Sequence, residues 1–328
     1  MKVFRSCATT LTFGLLALSL ASPALAQGEP YPTKPVNVIE DSAAGSTPDV
    51  VFRVVADALG RLWGQQVVSV NHPGAGGSIA ARLAADAAPD GYTLYGPVLS
   101  TFVSLPGTAL NLPLQVPRDF TVIGFTAENP MFIAVTPSLP VNSLAELIAR
   151  AKARPGELSY AVTGVGRLTN LTGELLQTRA GIKLLSVPYT GGPAHAIGDV
   201  MSGRVSLVIE GFSGIAGAVE SGKLKAIAVA SQRRLPEFPD LPTVSETISD
   251  FSATGWQVLV APLGTPERII SKVSDDLRKV LSDPELQKKI SARGSYAWPM
   301  TPAEATAFVH SEQQKWQPVV DHIASKPP

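Results

Sequence analysis

Along the chain, short apolar runs of strand length alternate with longer stretches in which apolar residues return at helical spacing, a pattern that predicts an α/β fold. The first run, Pro35 to Glu40, is followed by Val50, Val51, Val54, Val55, Ala58, Leu59 and Leu62, which give a helix over about 49–63 with one apolar face. Val67 to Val70 is the next strand. Asn71-His-Pro-Gly-Ala-Gly-Gly77 then turns into a small helix at about 79–87, which Pro89-Asp-Gly91 breaks before Tyr92 to Tyr95 extends again.

A second set opens with strands at Val122–Phe125 and Met131–Val135. Ser143 and Glu146 have the spacing of a capping box, ahead of a helix that buries Leu144, Leu147, Ile148 and Ala151. Strands follow at Leu158–Val162, Leu184–Val187, Val205–Ile209 and Lys225–Val229, with a helix carrying Leu171, Leu175 and Leu176 between the first two. After the extended run Trp256–Ala261 the chain turns helical. Thr265 is placed to cap a helix with Pro266 at its first position, a further helix spans about 284–292, and Thr301-Pro-Ala-Glu304 opens a long terminal one.

The opening segment has a different character. Lys2 and Arg5 precede an uncharged Leu-rich stretch from Leu11 to Leu20 and then Ala24-Leu-Ala26, the pattern of a secretory signal peptide cut after Ala26. Cys7, the single cysteine, precedes the apolar stretch and is misplaced for lipid attachment, so the exported protein is expected to have no disulfide and no cysteine chemistry. No later segment has the uninterrupted apolar length of a membrane span. Lys+Arg 27 against Asp+Glu 27, mixed along the chain, leaves no positive field for nucleic acid; the Arg233-Arg234 pair reads as solvated. Any anion must therefore be held locally.

Several loop-to-helix junctions have the makings of an anion site. Ala43-Ala-Gly-Ser-Thr-Pro-Asp49 follows a strand and opens a helix, where backbone N–H groups and the helix dipole favour a carboxylate without an arginine clamp. Ser46 or Thr47 can donate there; Asp49 can instead cap the helix, and ligand contact and ordinary capping both stay open. Gly74 to Gly77 lacks a dinucleotide or Walker pattern and reads foremost as a tight turn. Ser100 and Thr101 sit in a crossover loop at a strand end, a place that faces clefts in α/β folds. Thr163-Gly-Val-Gly166, including Gly164, can wrap a ligand oxygen or cap a helix, and Tyr189 offers an aromatic wall with a hydroxyl. Glu210 ends a strand, where it is either solvated or placed to orient a ligand donor or water and to repel a second carboxylate. His72, His195, His310 and His322 are scattered, no H-E-x-x-H or G-x-S-x-G motif occurs, and neither a catalytic nor a metal site is expected.

Spaced motifs then carry a resemblance. Tyr31-Pro-Thr-Lys-Pro35, Ala44-Gly-Ser-Thr-Pro-Asp49 with Arg53, Asn71 to Gly77, Ala88-Pro-Asp-Gly-Tyr-Thr-Leu94, Val187-Pro-Tyr-Thr-Gly-Gly-Pro-Ala194, Ser202-Gly-Arg-Val205, Gly222-Lys-Leu-Lys-Ala226 and Leu241-Pro-Thr-Val-Ser-Glu246 occur in order across almost the whole exported chain. With them the sequence resembles the Bug family, the TctC-like substrate-binding proteins of tripartite tricarboxylate transporters. The resemblance implies a periplasmic, two-lobed binding protein of the Venus-flytrap type, with 27–129 and 254–328 forming one lobe and 130–253 the other. It implies a small organic acid, a dicarboxylate or an aromatic acid, in the intervening cleft. The contacts it implies are Ser46, Thr47, Ser100, Thr101, Thr163, Gly164, Gly166 and Tyr189. No cofactor is expected, the protein is expected to act as a monomer, and its partners would be membrane transporter components. A sensory receptor reading the closed form is the alternative partner. Three departures bear on the ligand. Ala43-Ala44 stands where the family usually has Pro-Gly, Asn170 where it often has His, and Glu210 where it often has Asp.

Overall fold

β1 (Val36–Glu40) leads into α1 (Thr47–Trp63), and β2 (Val67–Asn71), α2 (Ser78–Ala85), β3 (Thr93–Gly96) and the single turn α3 (Leu99–Phe102) complete the first α/β set. The computed structural model describes residues 30–103, 118–164, 166–189 and 193–324; the leader expected at 1–26 lies outside the described residues, as does 190–192. β1 pairs in parallel with both β2 and β3, so it is an interior strand, and Val36 and Val38 are buried on one of its faces. α1 packs with its buried face on Val51, Phe52, Val55, Ala56 and Leu59. That face is rotated from the expected one: Phe52 and Ala56 are inside, while Leu62 is exposed. The apolar arc of α1 is wider than one stripe, and the sheet selects its middle.

The two strands expected around Pro130 are one. β4 (Phe120–Val135) runs through Glu128-Asn-Pro130 without a break, absorbing irregularities by register shifts near Val122–Gly124 and Phe125–Ala127. After it come α4 (Leu144–Ala153), β5 (Ser159–Val162), α5 (Leu168–Ala180), β6 (Leu185–Pro188), α6 (Pro193–Met201), β7 (Leu207–Gly211), α7 (Phe212–Glu220) and β8 (Lys225–Val229). The Ser143 hydroxyl accepts the Glu146 N–H at 3.2 Å and starts α4. β9 (Thr254–Pro262), α8 (Glu267–Leu281), α9 (Pro284–Ser291) and α10 (Pro302–Ala324) close the chain. Thr301 and Glu304 form the expected capping box on α10. Thr265 does not cap α8: its hydroxyl donates to the Pro262 carbonyl, tightening the turn that precedes the helix.

β4 changes partners along its length. Phe120 to Pro130 pair antiparallel with β9, whereas Met131 to Val135 pair with β7 on one side and, over Phe132 to Val135, with β8 on the other. The strand path is β2-β1-β3-β9-β4-β7-β5-β6, with β8 also on β4. β4 therefore joins a sheet built from the first and last parts of the chain to a sheet built from its middle. Strand ends from both sheets come together beside the place where β4 exchanges partners.

Candidate functional site

A cavity of about 100 Å³ lies at that junction. One wall comes from the loop after β1 (Ser42, Ala43, Ser46), from Leu99 and Ser100 of α3 and from Trp256 of β9; the other comes from Thr163, Arg167, Leu168 and Glu210. Trp256 is held in place from behind, its indole N–H donating to Glu312 Oε2 at 3.2 Å, with Phe102 and Phe308 packed on its ring at 5.3 and 5.5 Å. The wall is thus apolar below and polar at the two loop-to-helix junctions.

At the start of α1 the polar side chains are used by the protein. Asp49 accepts the Gly45 N–H at 2.9 Å, Arg53 Nε at 3.0 Å and Asn71 Nδ2 at 2.9 Å. Burial pushes its carboxyl up, but the hydrogen bonds from Arg53, the Gly45 N–H and Asn71 outweigh it and hold Asp49 below its ordinary range. Thr47 accepts the Gly214 N–H of α7 at 3.0 Å, and the Ser46 hydroxyl donates to Ala43 O at 2.7 Å while lining the cavity. Thr101 donates to Asp41 and does not line the cavity. Gly77 keeps the turn before α2 close to that pair: a Cβ on it would lie 2.7 Å from Thr101 Oγ1.

At the start of α5 the arrangement differs. Arg167 reaches across to the loop after β1, Nη2 donating to Asp41 O at 3.0 Å and lying 3.6 Å from Asp41 Oδ1. Nη1 is buried and has no partner among the described residues, and the same holds for the hydroxyls of Ser42 and Ser100. Gly164 permits this pose, since its φ is +153° and a Cβ there would sit 2.7 Å from Arg167 Cγ. Gly166, also with positive φ, donates its N–H to Asn170 Oδ1 at 3.1 Å, and Thr163 shares a hydrogen bond with Thr169 at 3.1 Å. Asn170 passes the network on to the Tyr160 hydroxyl at 3.2 Å. Tyr189 does not line the cavity; its hydroxyl donates to Asp199 at 2.7 Å, and burial followed by that carboxylate pushes it up to about 12.

The acids around the site are perturbed by burial. Glu210, 5% exposed, accepts the Gly211 N–H at 2.9 Å. Burial raises its carboxyl to about 7, against the pull of that N–H and of Arg167. Asp41 is fully buried and raised for the same reason, with Arg167, Thr101 and Tyr95 drawing it back. Glu40 behind it is raised well above its ordinary range by burial, Asp41 and Asp49, while Gln257 donates to it. Among the described residues no cluster of His, Cys, Asp or Glu is suited to a metal ion.

Of the residues singled out from sequence, Ser46, Ser100, Thr163 and Glu210 line the cavity, Thr47, Asp49, Thr101, Gly164 and Gly166 lie in or bond to the segments beside it, and Tyr189 is turned to Asp199 instead. Arg167 is the residue that sequence reading passed over, having expected an anion site without an arginine clamp. A signal was present: a cation at the start of a helix opposes the helix dipole, so its presence there calls for another reason.

The two joined sheets and the cavity beside their shared strand define a solute-binding protein of the two-lobed type. The family model of the tripartite tricarboxylate transporter family receptor matches residues 51–324, and the chain belongs to that family. Its members are transport receptors, not enzymes, and work with membrane transporter components. The chain is 32% identical to Protein BugT of Bordetella pertussis over 95% of its own length and 96% of that protein's. It superposes on the Rhodopseudomonas palustris protein Rpa4515 with adipate at TM-score 0.84 and 29% identity, covering 89% of this chain and 98% of that one. MatC of Rhodopseudomonas palustris with bound malate gives TM-score 0.80 at 27% identity, covering 88% and 100%. No helix among the described residues is long and apolar enough to cross a membrane.

Proposed function

We propose that this receptor captures a small organic carboxylate in the cavity and delivers it, from the periplasm, to membrane components for uptake. The observation that carries the reading is the buried Nη1 of Arg167, without a partner among the described residues, in a lining that also holds, on the opposite wall, the unpartnered hydroxyl of Ser100. Buried donors left unpaired are costly, and a carboxylate satisfies them with charge-assisted hydrogen bonds. The adipate and malate held by two related structures support the same ligand chemistry. Ser46, Ser100, Thr163 and Arg167 are the contacts, with Gly164 setting the arginine's path.

The change of partners along β4 supports lobes of 27–129 with 254–328 and of 130–253, hinged where the chain passes Asn129–Pro130 and Ala253–Thr254. Arg167 to Asp41 and Thr47 to Gly214 would then be contacts of the closed form. The leader at 1–26 directs export, and a single chain carries both walls, so the protein acts as a monomer. A thermal-shift panel of aliphatic mono- and dicarboxylates and aromatic acids tests the reading. An acid present at about a hundred times its Kd stabilises by about 2.7 kcal/mol, a rise of several degrees in Tm. No rise with any of these acids overturns it.

A further inference from the structure

The charges on the cavity wall are few and opposed. Among the residues that line it Arg167 is the one base and Glu210 the one acid. Arg167 already gives Nη2 to Asp41, which leaves Nη1 for a single carboxylate. Glu210 is buried, accepts the Gly211 N–H through Oε1, and pairs with no cation among the described residues. Both side chains line the same cavity of about 100 Å³, so a small acid held there lies within reach of both.

We propose that Arg167 and Glu210 together select a ligand with one carboxylate and, at its other end, a hydrogen-bond donor such as a hydroxyl or ammonium group, over a fully ionised dicarboxylate of the same length. This rests on the carboxylate reading and adds the second functional group. A dicarboxylate would bring two negative charges beside Glu210 with one half-used guanidinium to offset them, and like charges held together in a dry site are strongly disfavoured. A donor at the far end turns the same Glu210 into an acceptor that is satisfied. The elements packed around Glu210 otherwise present Phe132 of β4, Thr47 of α1 and Gly214 of α7, none of them charged, so Arg167 is the charge that acts on it. Burial holds Glu210 near neutrality, so a dicarboxylate enters by forcing a proton onto it.

The test is calorimetry at pH 8 with butyrate, succinate, 4-hydroxybutyrate and 4-aminobutyrate, in two buffers of different ionisation enthalpy. At least one donor-bearing acid is expected to bind about tenfold or more tighter than succinate. Glu210→Gln keeps the volume and removes the charge, and should narrow that gap to about threefold or less by tightening succinate. In the wild type, succinate is expected to take up a proton on binding and 4-hydroxybutyrate none, a readout that does not depend on the variant folding. Succinate binding as well as or better than both donor-bearing acids, or binding without proton uptake, overturns the selection while leaving carboxylate capture standing. If none of the four binds and the wider acid panel also fails, the carboxylate reading falls and this inference with it.

Discussion

Two helix starts face each other across the cavity, and they treat their polar groups in opposite ways. At α1 the side chains are spent on the fold: Asp49 gathers Gly45, Arg53 and Asn71, and Thr47 holds Gly214. At α5 the polar group is left incomplete, because Arg167 donates one nitrogen to the Asp41 carbonyl and keeps the other buried and unpartnered among the described residues. Both junctions follow a strand and open a helix, so both offer backbone donors and a favourable dipole to an anion. What separates them is where the side-chain hydrogen bonds end. Saturated groups fix geometry, while an unsatisfied buried donor stores a cost that a ligand relieves.

The comparison breaks most visibly at Arg167. Arg167→Leu should weaken binding of an acid identified in the thermal panel by about a hundredfold or more, since a buried carboxylate loses its charged partner. Calorimetry reads it directly; a loss of less than about threefold would show that backbone groups hold the anion unaided. Next in size is pH. Glu210 is raised from 4.5 to about 7, so the folded state keeps a proton that the unfolded chain gives up. The stability of the ligand-free protein should therefore be complete below pH 4.5 and fall as pH rises toward 7, by about 3 kcal/mol at most from this residue. Urea melts across that window measure it, and Glu210→Gln should flatten the part that belongs to Glu210.

Asp49→Ala sharpens the contrast from the other side. It should cost about 2 kcal/mol of stability, through the stranded Gly45 and Asn71 donors and the lost Arg53 pair, with acid affinity within about threefold of wild type. Gly164→Ala should do the reverse on a smaller scale, weakening binding about tenfold because the new Cβ displaces the arginine stem. Tyr189→Phe is the least of these: with its hydroxyl on Asp199 and outside the cavity wall, affinity should stay within about twofold.

Much of the architecture was readable because it is written locally. The strand runs, the Ser143 and Thr301 caps and the apolar stripe of α8 each depend on residues within a turn or two of one another. The errors were of a different kind. Val122–Phe125 and Met131–Val135 looked like two strands, yet β4 runs through both because β9 pairs one half of the strand and β7 and β8 pair the other. Leu62 looked buried by period, yet the packing of α1 turned Phe52 and Ala56 inward instead. At the site, Ser46, Ser100, Thr163 and Glu210 could be found as polar residues at strand ends. The use of Thr101 and Tyr189 as partners for Asp41 and Asp199 could not be, since those hydroxyls looked equally free for a ligand.

The sequence by itself determined the α/β alternation, the absence of a chain-wide charge for steering and the motifs that mark the family, since each is a property of composition or of neighbours in the chain. Tertiary structure alone decided which donors stay unpaired. Arg167 and Asp41 are 126 positions apart, and Thr47 and Gly214 are 167 apart. Whether a polar group is satisfied depends on what folding brings beside it, and that is settled only when the two sheets meet across the cavity.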